Sequence, residues 1–117
     1  MKREADRRQR LLEVNKEAGK YYYMLLRSEH GTQALDYFKK RGLSEETMRK
    51  FGLGYSDKFS DDLYHYLRNK GYEDELLKDS GLISYDERSG GHDKFWNRVI
   101  FPIMDVNNRV NGFGGRV

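Results

Sequence analysis

The apolar residues of this chain change their period about two-thirds of the way along. Leu11, Leu12, Val14, Ala18, Tyr21, Tyr22 and Leu25 recur at helical spacing and predict one long helix to about residue 26. Gly31 punctuates a break. Thr32 is placed to cap a second helix running to about Lys40, with Ala34, Leu35 and Phe38 as its buried stripe and Gly42 as its stop. Ser44 then caps a short third helix that turns Met48 and Phe51 inward and ends at Gly52. Leu53-Gly54-Tyr55 reads as a small strand. Ser60 caps a fourth helix over residues 61–69, with Leu63, Tyr64, Tyr66 and Leu67 apolar, and a fifth helix follows over residues 72–79. Leu82, Ile83 and Tyr85 alternate as a strand, and residues 86–91 read as a loop with Ser89-Gly90-Gly91 at its tip.

From His92 onward the period is two. Phe95, Val99, Phe101 and Ile103 fall on one parity, and Lys94, Trp96, Arg98 and Ile100 on the other. Asp105-Val106-Asn107-Asn108 reads as a turn, closed either by a one-residue bulge at a left-handed Asn108 or by a two-residue turn on Asn107-Asn108. The bulge keeps the core aromatics together, placing Phe101 opposite Phe113 and Arg98 opposite Arg116. The two-residue turn leaves Phe101 facing glycine, so the bulged register is expected. The predicted class is α+β: several short helices in the first two-thirds and a small antiparallel sheet or hairpin at the C-terminal end.

In that register two arginines face each other across neighbouring strands, which is repulsive. Gly112 and Gly114 lie between them and leave the backbone approachable. A polyanion across this face would relieve the repulsion. Equally, the arginines splay into water and the glycines serve only the twist. Pattern alone does not choose.

Charge changes the picture in one respect. The net +3 is uneven: residues 1–41 carry eleven Lys/Arg against six Asp/Glu, residues 42–89 seven against eleven, and residues 90–117 four against two. That points to one positive face. The first ten residues, basic and nearly without apolar content, read as a frayed end or a linker, and residues 11–117 as one domain. With no cysteine there is no disulfide and no cysteine-based zinc site. No run is apolar enough to span a membrane, so a cytoplasmic protein is expected.

Catalytic chemistry finds little support. Asp61-Asp62 and Glu73-Asp74-Glu75 sit at helix starts, where carboxylates complement the dipole. His30, His65 and His92 are scattered, and no Walker-type loop is present. The helix–glycine–helix outline of residues 32–51 is not a DNA-reading motif, because a recognition helix opening on Glu45-Glu46 carries the wrong charge.

The stretch DKFWNRVIFPIMDVNNRVNGFGGRV resembles the signature of bacterial DNA primase, in which FPI is followed at this spacing by GFGGR. LLEVNKEAGKYYYMLL, ALDYFKKRGLSEETMRKFGLGYS and LKDSGLI resemble the same family in the same order, so the likeness covers about residues 11 to 117. Asn108 departs from the family's usual glycine, and Val106 stands where some members carry a basic residue.

The resemblance implies the N-terminal subdomain of a primase's RNA polymerase core, one wall of a basic groove that guides single-stranded DNA template and RNA–DNA hybrid. It implies nucleic-acid contacts at Arg41, Lys94, Trp96, Arg98, Arg109 and Arg116. No catalytic residue and no cofactor is expected on this chain itself. The family's divalent metal (Mg or Mn) belongs to a following Toprim-type subdomain, and its structural zinc to an upstream domain. Replicative helicase and single-strand-binding protein are the partners implied for the parent protein, at the replication fork. The β pattern runs to Val117 without a closing turn, so the polypeptide is expected to continue. The competing reading is an interaction scaffold whose basic face docks an acidic protein.

Overall fold

A computed structural model describes residues 2–59 and 61–116, with side chains from residue 6 onward. Its spine is helix α1 (Lys2–Leu26). The helix runs through the basic first turns, where a frayed end or linker was expected, and Arg7 pairs there with Asp79. Val14, Ala18, Tyr22 and Leu26 lie one above another at a spacing of four, and none exceeds 1 % exposure. A 3₁₀ turn (Glu29–Gly31) leads into α2 (Thr32–Lys40) and α3 (Glu45–Lys50). Ser44 caps α3 as expected, accepting a hydrogen bond from the Thr47 N–H at 3.1 Å. Thr32 does not cap α2 with its side chain; its hydroxyl donates to the Glu29 carbonyl at 3.0 Å. Phe51 does not turn inward and stays 59 % exposed.

β1 (Gly54–Ser56), α4 (Asp62–Asn69) and α5 (Asp74–Ser80) follow. Strands β2 (Ile83–Asp86) and β3 (Gly90–Asp93) pair as a hairpin, so Gly90 and Gly91 lie in a strand and not in a loop tip. β4 (Arg98–Met104) and β5 (Val110–Arg116) complete an antiparallel three-stranded sheet of order β1-β4-β5. The class is α+β.

This sheet is covered on both faces. Ile100 joins Val14, Ala18, Tyr22 and the buried leucines of α4 and α5 on one side, with Phe113 and Phe95 packed against them. Val99 joins Leu26, Phe38, Met48 and Leu53 on the other, with Phe101 alongside. Gly54 is required where α1 meets β1: a Cβ there would lie 2.6 Å from Tyr22 Cβ.

The cap of α4 comes from outside the helix. Ser60, expected to cap it, lies outside the described residues, and Asp61 makes no side-chain cap bond. Asp93, at the end of β3, instead accepts the Leu63 and Tyr64 N–H groups, each at 2.9 Å. This ties the small hairpin to α4.

Burial pushes the Asp93 carboxyl up to about 6, against the two N–H bonds that favour its charged form. An unfolded aspartate titrates near 4, so over the interval between them the folded protein holds this proton more tightly. The resulting stability is complete below about pH 4 and is lost as pH rises through about 6. Comparing urea unfolding of the wild type with Asp93→Asn, the difference should fall by up to about 3 kcal/mol between roughly pH 4 and 7. A difference independent of pH would refute this.

Candidate nucleic-acid interface

The β4–β5 turn forms as its residues dictate. Asn108 is left-handed at φ 60, its N–H donates to the Asp105 carbonyl at 3.1 Å, and the Asp105 N–H donates to the Arg109 carbonyl at 2.9 Å. Met104 therefore pairs with Val110, as the bulged turn requires. One residue later Asn111 is left unpaired, and the register shifts: Ile103 pairs with Gly112, Phe101 with Gly114 and Val99 with Arg116.

The shift moves the candidate residues. Arg98 and Arg116 are not opposite each other, and they lie on opposite faces of the sheet. Arg98 shares its face with Ile100 and Gly115. Its Cδ lies 2.7 Å from where a Gly115 Cβ would be, and its Nε donates to the Trp96 carbonyl at 3.0 Å. Arg116 shares the other face with Val99, Phe101, Gly112 and Gly114, and it is exposed. A Cβ on Gly112 or Gly114 would meet nothing within 4 Å, so this part of the backbone is open.

Arg41 belongs to that same face. Helix α2 packs on it through Phe38, whose ring meets Phe101 edge-on at 6.2 Å. Arg41 caps the end of α2, exposed, with its guanidinium 5.2 Å from the Tyr37 ring. Lys39 and Lys40 are exposed in the same helical turn. Arg41 thus stands at the end of a helix that packs on this face, and Arg116 stands at the end of the strand bared by two glycines.

The remaining candidates are elsewhere. Lys94 and Trp96 are not on β4; they lie in the link between β3 and β4, where Asn97 is left-handed at φ 52. That break explains why Phe95 and Val99, expected on one face, enter different cores. Lys94 is exposed beside the Phe95 ring, and Trp96 is 43 % exposed. Arg109 is held in the turn by Asp105 through its Nε at 3.0 Å. Hydrogen bonds from the Arg109 and Asn107 N–H groups, with the Arg109 charge, hold the Asp105 carboxyl below the usual range. Lys58 and Phe59 belong to no motif that marks them in the sequence. A 2.7 Å bond from the Asn97 N–H to the Asp57 carbonyl sets their loop beside Trp96, and Phe59 is 50 % exposed. Its signal was a lone aromatic beside a cation in the polar run SDKFSDD.

Among the described residues no three His, Asp or Glu side chains converge as metal ligands. No helix among them is long and apolar enough to cross a membrane.

Residues 21–117 match the model of the family described as DNA primase catalytic core, N-terminal domain. The chain belongs to this primase family. The DNA primase of Clostridium acetobutylicum is 41 % identical over 108 residues, which are 92 % of this chain and 18 % of that protein. The chain therefore spans under a fifth of the length of this curated primase. The RNA polymerase domain of Mycobacterium tuberculosis primase DnaG, solved with double-stranded DNA, superposes with a TM-score of 0.89 at 34 % identity. The match covers 94 % of this chain and 34 % of that one. A DnaG primase catalytic domain bound to ssDNA superposes with a TM-score of 0.86 at 34 % identity, covering 97 % and 36 %.

In this primase domain Arg98 braces the sheet, which a double-mutant cycle can measure. Gly115→Ala should destabilise the domain by about 1–2 kcal/mol by displacing Arg98. In an Arg98→Ala background the same substitution should cost about 1 kcal/mol less, read by denaturant unfolding. Equal costs in both backgrounds would remove the bracing role.

Proposed function

We propose that this domain works as the template-guiding wall of a DNA primase, an enzyme that synthesises RNA primers on single-stranded DNA. The open β5 face takes the nucleic acid: Arg41 and Arg116 contact phosphates from its two sides, and the bared backbone of Gly112 and Gly114 lets the sugar-phosphate chain come close. The carrying observation is the β5 face, where Arg116 is exposed beside the open backbone of Gly112 and Gly114, with Arg41 exposed at the end of the helix that packs on that face. Trp96 and Lys94, with Phe59 and Lys58 alongside, offer rings and charge for an unpaired strand at the opposite end of β4 from the turn. Support also comes from the related primase domains solved with double-stranded DNA and with ssDNA. The chain guides and does not catalyse; the divalent metal and the zinc of the parent enzyme are held by other segments.

Contacts of this kind are largely to phosphate, so affinity should be insensitive to base sequence and steeply dependent on salt. Titrating oligodeoxynucleotides of several sequences over a salt series tests the assignment. Arg41→Gln and Arg116→Gln should each weaken binding for every sequence and reduce the slope of log K against log salt by about 0.7. Arg98→Gln should leave the slope unchanged. Unaltered slopes for both Arg41→Gln and Arg116→Gln would remove the β5 face from the interface.

A further inference from the structure

A second surface lies at the turn end of the β4–β5 hairpin. Helices α1 and α3 and the hairpin enclose an open groove of about 1020 Å³. Three large apolar side chains line it in water: Met24 is 56 % exposed, Phe51 59 % and Met104 48 %. Monomeric domains seldom leave a contiguous apolar surface of this kind uncovered unless something binds there. Thioether and aromatic side chains together make a surface that can adapt to a partner.

The charges around the groove indicate what covers it. Its rim carries Lys16, Lys20, Arg49, Lys50 and Lys70 against one carboxylate, Glu17. Glu17 is already engaged by Lys20 and Lys70, each at 3.9 Å, and Arg49 is engaged by Glu45 at 3.3 Å. Lys16 and Lys50 have no carboxylate partner among the described residues. An occupant must therefore be apolar at its centre and acidic at its margins.

A nucleic-acid strand fits this less well. It would satisfy the lysines, but of the aromatic rings that line the groove only Phe51 stands exposed to a base. Tyr23 is covered by the Arg27 guanidinium at 3.6 Å, and Tyr66 is stacked on Tyr21 at 4.7 Å. The groove runs from the turn end of the hairpin, at Met104 and Val110, to Phe101, which pairs with Gly114 two residue pairs short of Arg116.

We propose that this groove docks an acidic peptide segment of a partner protein, anchored by two or three apolar side chains. The stretch of α1 from Lys16 to Met24 is about 12 Å long. That accommodates two turns of a partner helix with anchors spaced three or four residues apart.

The test uses the full chain and a fluorescent amphipathic peptide of roughly a dozen residues, Leu and Phe at helical spacing among glutamates. Micromolar binding is expected. The same peptide with lysines for glutamates should not bind. Lys16→Glu combined with Lys50→Glu should weaken binding at least about ten-fold. Phe51→Ser should do the same without loss of stability, because that ring is already in water. The proposal is overturned by equal binding of the acidic and basic peptides, or by variants that bind as the wild type does. Two further results overturn it: self-association that Phe51→Ser abolishes, which assigns the groove to a second copy, and oligonucleotide affinity that Phe51→Ser abolishes, which assigns it to nucleic acid.

Discussion

The architecture turns on one close approach, that of Tyr22 on α1 to Gly54 on β1. No other residue type fits at position 54, because any side chain would start inside the Tyr22 backbone and Cβ. The contact sets the helix hard against the edge of the sheet. Tyr22 then packs into the core beneath α4 and α5, and Leu26, one turn later, packs into the core beneath α2 and α3. A single helix thus joins two cores that lie on either side of one three-stranded sheet. Without it neither set of short helices has a common surface on which to assemble.

The helical part of this arrangement was legible because its signals are local. Ser44, Gly42 and Gly52 mark helix ends through bonds or dihedral angles that depend on immediate neighbours, and α2 spans the residues expected of it. Signals that depend on distant partners were not legible. The cap on α4 is supplied by Asp93, thirty residues away in sequence at its Leu63 bond. Phe51 carries the pattern of a core residue and stays in solvent, since nothing in its own segment reveals which elements lie over α3. Gly90 and Gly91 have the composition of a loop tip yet occupy a strand; a Cβ on Gly91 would lie 2.6 Å from the Tyr64 ring.

The interface shows the same division. The motif at the end of the chain was enough to indicate the family, and the left-handed Asn108 turn formed as its residues demand. The facing of its arginines was not readable. A single buried face would require Phe101 and Phe113 to share it. Both faces are buried, and each aromatic finds a core of its own: Phe101 against Phe38, and Phe113 against Tyr22. With two cores available, hydrophobic alternation no longer arbitrates register. What remains open to solvent on β5 is the glycine-lined strip, and Arg116 stands at its end.

The unpaired Asn111 makes the orientation of this strip a matter of parity. Every residue of β5 beyond it is displaced by one place relative to the turn. Were Asn111 paired with Ile103 and not left out, Arg116 would come opposite Arg98 and Phe113 opposite Phe101, although the composition of the strand would be the same. Two chains of this family with the same residues between turn and strand can therefore present opposite surfaces when only one of them carries the bulge, whereas a chain that lacks the bulged residue keeps the surface. Equivalence of charged positions among relatives is secure only when it is counted along the paired strand, inward from β4, and not outward from the turn.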